Sequence, residues 1–286
     1  MSDSEGVLYI VATPIGNLGD ITRRAIEVLT DVDLIAAEDT RTSQKLLAHY
    51  DIRTPMMALH EHNEREQSGE IIKKLQSGQK IALISDAGTP LISDPGYHLV
   101  AAAHRAHIPV HPIPGASALI AALSASGLPT DRFVFEGFLP SKTMARHAYL
   151  QHLRDETRTL IFYEAPHRLL DTLESMLAVF DAQRVAVLAR EITKLYETIR
   201  QLPLGELTEW VRTQPEQQKG ESVIMLAGAL PAADKQHVEL DVDTLLASLL
   251  SKLSVKDAAN MASHLTGLGK NQLYARALEI QQHRND

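Results

Sequence analysis

Ile81-Ala82-Leu83-Ile84, followed by Ser85-Asp86-Ala87-Gly88-Thr89-Pro90-Leu91-Ile92-Ser93-Asp94-Pro95-Gly96, is an apolar run leading into a stiff polar loop. Four apolar residues bounded by turn formers read as a strand buried on both faces. Beyond the loop, Leu99, Val100, Ala103 and Ala106 share one side of a helical pattern. Strand, loop and helix in this order predict an α/β sheet with parallel strands. Open α/β sheets bind ligands in the loops that leave the carboxyl ends of their strands. Gly88 and Gly96 permit tight backbone geometry here, and Pro90 and Pro95 stiffen it. The loop can therefore bring backbone N–H and C=O groups close to a ligand. An ordinary polar strand-to-helix connection has the same composition.

The same alternation extends in both directions. Strands are predicted over 7–12, 32–37, 80–84 and 109–113. Helices are predicted from Asp20 as cap, and over 42–49, 64–76 and 116–126, the last ended by Gly127 and Pro129. Further on, strands are predicted over 132–136, 159–163, 184–189 and 222–227, with an antiparallel one over 195–202. Helices there are predicted over 142–153, 168–180 and 204–212. Pro231-Ala232-Ala233-Asp234 reads as a linker. From about Asp241 the chain reads as two or three short amphipathic helices broken at Gly267-Leu268-Gly269. The division is an N-terminal α/β domain over 1–118, a C-terminal α/β domain over 119–230, and a linker with helical tail over 231–286.

Composition narrows the function classes. The chain has 286 residues, enough for two domains with a sizeable core. It has no cysteine, which excludes disulfides, thiolate nucleophiles and cysteine-ligated metal sites. The polar, acidic start is unlike a signal peptide, and no apolar run reaches the roughly 18 to 20 residues of a membrane span. A cytoplasmic protein without membrane contact is expected. A net charge of −8 argues against sequence-blind nucleic-acid binding, though not against a structured RNA met by local basic patches.

Several loop clusters are rich in chemistry. Thr13-Pro14-Ile15-Gly16-Asn17-Leu18-Gly19-Asp20 follows the first strand, yet lacks the three-glycine dinucleotide fingerprint and the Gly-Lys-Ser/Thr of a phosphate loop. Glu38-Asp39-Thr40-Arg41 sets two carboxylates beside a guanidinium, suited to acid/base work, to holding a polar substrate, or to capping a helix. Small residues at 114–118 let a ligand or another backbone approach closely. Tyr163-Glu164-Ala165-Pro166-His167-Arg168, Arg190-Glu191-Ile192-Thr193-Lys194 and Lys219-Gly220-Glu221-Ser222 lie at strand ends of the second domain.

Seven ordered motifs, at 13–21, 38–41, 85–96, 114–118, 136–140, 163–168 and 219–222, give this chain a specific look. Over about residues 7 to 228 it resembles the tetrapyrrole methylase-like class of S-adenosylmethionine-dependent methyltransferases. That resemblance implies two α/β domains with a cofactor cleft between them and a small C-terminal helical extension. Ala12-Thr13-Pro14-Ile15-Gly16 stands where the class has Gly-x-Gly-Pro-Gly, and Gly88-Thr89-Pro90 where it often has Gly-Asp-Pro. These departures favour its RNA-modifying branch. The resemblance then implies methylation of a cytidine 2′-hydroxyl in the decoding region of 16S ribosomal RNA in the small subunit, by a homodimer. It implies S-adenosyl-L-methionine against Pro14, Ser85, Asp86, Gly88 and Ile92, with Ser117, Ala118, Tyr163 and Gly220 completing the pocket.

Methyl transfer to a hydroxyl needs a proton acceptor within about 3 Å. Glu38, Asp39, Glu164, Lys194 and Glu197 are candidates. Lys194 with Glu197 is the favoured pair, a desolvated lysine being able to act as a base, and Asp39 or Arg41 would place the substrate. Surface ion pairs account for the same residues equally well. Arg23, Arg41, His60, Lys142, Arg146, Arg168 and Lys270 are expected to meet RNA, with Tyr274 as a stacking ring. His60-Glu61-His62 lacks further ligands at a useful spacing, and no metal is expected. Two other readings remain. One is a methyltransferase for a small molecule, marked by turnover without RNA. The other is a non-catalytic ribosome-assembly RNA-binding factor, marked by failure to bind S-adenosylmethionine.

Overall fold

The computed structural model describes residues 6–229, 242–266 and 268–283. Two compact units are present, Met1–Ala229 and Leu230–Asp286. The first holds two five-stranded sheets.

The first sheet comprises β1 (Val7–Val11), β2 (Leu34–Ala37), β3 (Met56–Ala58), β4 (Lys80–Ile84) and β5 (Val110–Ile113). Its order is β3-β2-β4-β1-β5, and all pairings are parallel. Helices α1 (Arg23–Asp31), α2 (Thr40–His49), α3 (Glu64–Gln76) and α4 (Tyr97–Arg105) cover both faces. Alternation along β4 shows how. Ala82 and Ile84 pack with Ala25, Leu29 and Leu47 of α1 and α2, while Ile81 and Leu83 pack with Ile71, Leu75, Leu99 and Ala103 of α3 and α4. A strand buried on both faces must be apolar throughout, which is why 81–84 stands out in the sequence. The central positions of β4 and β1 bring the loops at 13–20, 38–39 and 85–96 to one edge.

The second sheet comprises β6 (Phe133–Phe138), β7 (Thr159–Glu164), β8 (Val185–Arg190), β9 (Thr198–Pro203) and β10 (Ser222–Leu226), in the order β6-β7-β10-β8-β9. Only β6 and β7 run parallel; the other pairings are antiparallel. The expectation of mainly parallel strands thus holds for the first sheet and not for the second. Periodicity reports which face is buried, not strand direction. Helices α6 (Thr143–His152), α7 (Leu169–Leu177) and α8 (Leu204–Thr213) pack on one face, around Phe162, Leu188 and Ile224. Helix α5 (Ala118–Ser126) packs on the other through Leu119, Ala122 and Leu123.

Two local readings change. Thr22, not Asp20, caps α1, its Oγ1 accepting from Ala25 N–H at 3.1 Å; Asp20 closes a short 3₁₀ turn instead. Strand β3 goes unpredicted because three residues at a sheet edge are too short to show a period.

The second unit contains α9 (Val242–Leu250), α10 (Val255–Thr266) and α11 (Lys270–His283) around Leu246, Ala259, Ala262, Leu273 and Ala277. Arg276 forks onto Asp243 with bonds of 2.8 and 2.6 Å, tying α11 to α9. The expected linker at 231–234, and Gly267 of the expected break, lie outside the described residues. Among the described residues no helix is long and apolar enough to cross a membrane.

Candidate active site

A cavity of about 400 Å³ lies where the loops of the first sheet meet β7 and β10 of the second. Ile15, Gly88, Ile92, Asp94, Ser117 and Ala118 line it from one side, and Phe138, Tyr163, Glu164, Ile192, Ser222 and Val223 from the other. Its size and largely apolar wall, with few polar groups, fit a small-molecule site.

The loop after β4 is pinned along its length. Thr13 and Gly88 exchange backbone bonds, N–H to O, at 2.8 and 3.1 Å. Thr13 Oγ1 donates to Ser85 O at 3.2 Å, and Thr89 Oγ1 to Ala116 O at 3.0 Å. Gly88 has φ +83, and a Cβ there would press on Ile15, so the tight approach requires glycine. Leu91 (φ +73) and Ser93 (φ +69) are left-handed without being glycine. Such backbone persists only where the surroundings force it. At the loop's end Gly96 offers α4 no side-chain cap; buried Glu64 supplies one from α3, accepting from Gly96 N–H and His98 N–H at 3.0 and 2.7 Å.

On the opposite wall, the Tyr163 phenol oxygen accepts from Leu119 N–H at 3.1 Å, and its ring meets Phe135 and Phe138 edge-on. Burial pushes the phenol's pKa up, against the pull of that bond. Glu164 is buried and accepts from Thr172 Oγ1 at 2.6 Å and Ala165 N–H at 2.8 Å, with Arg168 Nε 3.3 Å away. Ser222 Oγ is buried in the wall without a hydrogen-bond partner.

Lys194 does not pair with Glu197. Its Nζ donates to Glu191 at 2.8 Å and Glu221 at 3.0 Å, while Glu197 accepts from Thr193 N–H at 2.6 Å. Burial works against the Lys194 charge, but the two carboxylates outweigh it and raise its pKa. In this arrangement Lys194 holds its proton, the opposite of what a base requires. Asp39 caps α2 and takes a bidentate fork from Arg41, at 3.1 and 2.8 Å, which lowers its pKa to about 2. None of Lys194, Glu197 and Asp39 lines the cavity.

A second acidic group lies at the loop's root. Asp86 N–H donates to Glu38 at 3.3 Å, and Asp86 Oδ1 accepts from Asp39 N–H at 3.2 Å, lacing the loops after β2 and β4 together. Burial raises the pKa of Glu38 and of Asp86; repulsion from Asp86 and Asp39 adds to it for Glu38, and from Asp39 for Asp86. Asp94, on the cavity wall, is pushed up to about 6 by burial and by Glu38.

Of the expected cofactor residues, Gly88, Ile92, Ser117, Ala118 and Tyr163 line the cavity. Pro14 and Gly220 precede lining residues Ile15 and Glu221, while Ser85 is buried beneath the loop and Asp86 laces it. Arg23, Arg41, His60, Lys142 and Lys270 are exposed. Arg146 is a correction. It is 3% exposed, donating to Ser175 Oγ at 2.9 Å and Asp171 O at 3.3 Å between α6 and α7, and cannot meet RNA there. Arg168 is likewise turned inward, donating to Leu139 O at 2.6 Å. Asp94, Phe138, Ile192 and Ser222 went unnoticed as site residues. Asp94 lies within the loop at 85–96, and its burial on the cavity wall sets it apart from Asp86, which accepts from Asp39 N–H. Among the described residues no group of three or more His, Asp or Glu is arranged to hold a metal ion.

Residues 7–208 match the model of the Tetrapyrrole (Corrin/Porphyrin) Methylases, and 236–281 that of the RsmI C-terminal HTH domain. The chain is 55% identical to Ribosomal RNA small subunit methyltransferase I of Pseudomonas aeruginosa, over 97% of this chain and 99% of that one. It is 53% identical to the protein of the same name from Escherichia coli O157:H7, over 98% and 97%. Uroporphyrin-III-C-methyltransferase from Thermus thermophilus has a similar fold, with a TM-score of 0.54 at 19% identity, over 78% of this chain and 94% of that one.

Proposed function

The chain belongs to the tetrapyrrole (corrin/porphyrin) methylases, and we propose that it methylates a cytidine ribose 2′-hydroxyl in the decoding region of 16S ribosomal RNA, using S-adenosylmethionine. It is a methyltransferase. The observation that carries the RNA acceptor is likeness along almost the whole chain, helical tail included, to proteins named for small-subunit ribosomal RNA.

The cavity suits the cofactor's chemistry. Ile15, Ile92, Ala118 and Val223 offer an apolar slot, and Ser222 Oγ a polar group without a partner. Glu38 and Asp86 set carboxylates at the loop's root, favourable to a cation. Gly88, Ile92, Ser117, Ala118 and Tyr163 would hold the cofactor, flanked by Pro14, Ser85, Asp86 and Gly220. When bound it supplies a methyl group on positively charged sulfur, which leaves as a neutral thioether. Positioning then matters most, since well-oriented reactants reach effective molarities of about 10⁵ to 10⁸ M. The pinned loop and the Tyr163–Leu119 bond serve that purpose.

Arg23, Arg41, His60, Lys142 and Lys270 are the exposed groups to meet RNA, and the enzyme works in the cytoplasm as a homodimer. Transfer of labelled methyl to small ribosomal subunits from a strain lacking the gene tests this reading. Label recovered in an alkali-resistant dinucleotide supports it. Label on a small molecule without RNA refutes the acceptor. Absence of S-adenosylmethionine binding refutes the cofactor.

A further inference from the structure

Three carboxylates line the cavity: Asp94, Glu164 and Glu221. Glu164 is taken up by Thr172, Ala165 N–H and Arg168. Glu221 pairs with Lys194, and its side chain is 75% exposed. Asp94 differs from both: it is half-buried, the neutral Ser85 hydroxyl, which donates to Ala87 O at 3.3 Å, only partly offsets the effect of burial on it, and among the described residues it forms no ion pair. We propose that Asp94 takes the proton from the acceptor hydroxyl during methyl transfer; the assignment rests on the hydroxyl acceptor proposed above.

Backbone geometry supports it. Asp94 follows Leu91 and Ser93, both left-handed at non-glycine positions, and precedes Pro95 and the Glu64-anchored Gly96. Strain of this kind is retained where a side chain must be aimed. Here the side chain it aims into the cavity is a carboxylate.

The surrounding charges fit a base. Glu38 and Asp86 face Asp94 from the loops after β2 and β4, and Tyr163, Glu164 and Glu221 share its cavity. The cations around the cavity are engaged elsewhere: Arg41 forks onto Asp39, Arg168 lies 3.3 Å from Glu164, and Lys194 pairs with Glu221. Burial and Glu38 hold Asp94 at about 6, while the Ser85 hydrogen bond pulls it down. A proton acceptor works best with a pKa near the operating pH. The step balances: the oxygen–methyl bond forms, the methyl–sulfur pair returns to sulfur as a neutral thioether, and the hydroxyl proton moves to the Asp94 carboxylate and then to water.

The test uses the full chain, S-adenosylhomocysteine as calorimetric probe, and single-turnover methylation of unmethylated small subunits across pH. Asp94→Asn should slow the methyl-transfer step by on the order of 10²- to 10⁴-fold. Affinity for S-adenosylhomocysteine should stay within about twofold, and the acid limb near pH 6 should vanish. Ser85→Ala, which keeps the carboxylate, should shift that limb to higher pH. Circular dichroism establishes that each variant is folded, and carbon-13 titration of Asp94 in the unsubstituted protein reads its pKa without any variant. Asp94→Asn with full activity, or with affinity falling as much as rate, overturns the assignment alone. Unsubstituted protein inactive on subunits overturns the acceptor reading and this assignment together.

Discussion

Replacing Glu64 by alanine should loosen the loop at 85–96 without touching the cavity. Glu64 is 5% exposed at the start of α3. Its Oε1 accepts from His98 N–H at 2.7 Å, Gly96 N–H at 3.0 Å and Leu99 N–H at 3.4 Å. Those donors are the first turn of α4, which otherwise has no side-chain cap. Each bond to a charged acceptor contributes about 1.5–3 kcal/mol, and the longest adds little. Two strong bonds on one oxygen share their energy, so alanine should cost about 3–5 kcal/mol. Glutamine keeps an acceptor and loses the charge facing the helix N-terminus, a loss of about 0.3–2 kcal/mol. Urea unfolding followed by circular dichroism measures both variants. Since Gly96 is two residues from Asp94, S-adenosylhomocysteine affinity should fall with alanine more than with glutamine. An alanine variant within about 1 kcal/mol of the unsubstituted protein would refute the capping argument.

Other outcomes follow from the same geometry. Asp94 has a folded pKa of about 6 against an ordinary 3.8. Between those values the native state binds the extra proton, so this group's stabilisation is full below about pH 4 and is lost as pH rises through 6. Asp94→Asn should therefore gain stability relative to the unsubstituted protein at pH 7 and not at pH 4; equal differences at both in urea titrations would count against it. Arg146→Ala should lose about 2–4 kcal/mol through a cavity and broken bonds to Ser175 and Asp171, while the salt dependence of subunit binding stays unchanged. Lys142→Ala should do the reverse, leaving stability intact and reducing the slope of log affinity against log salt by about one; an unchanged slope removes Lys142 from the RNA surface. Gly220→Ala forces a side chain onto φ +79 and against Glu191, so it should disturb the Lys194 pairing and weaken S-adenosylhomocysteine binding, read by calorimetry.

The sequence by itself determined the local structure and the family. The apolar run at 81–84, the glycines and prolines after it, and the helical period from Leu99 report their own geometry, because burial on both faces, positive φ and amphipathicity act within a few residues. Of the residues the resemblance assigned to the cofactor, Gly88, Ile92, Ser117, Ala118 and Tyr163 line the cavity. Tertiary structure alone decided which charges are usable. Arg146 looks like any surface arginine until α7 packs over it. Lys194 reads as a possible base until β10 brings Glu221 beside it, 27 residues along the chain. Asp86 and Asp94 are alike in sequence, and only the fold laces one to Asp39 and sets the other on the cavity wall. In the second sheet the antiparallel strand expected over 195–202 is present as β9, but the antiparallel insertion of β10 between β7 and β8 was hidden. A charge's solvation and partners come from residues distant in the chain, so its role is a property of the packed molecule rather than of its neighbours in sequence.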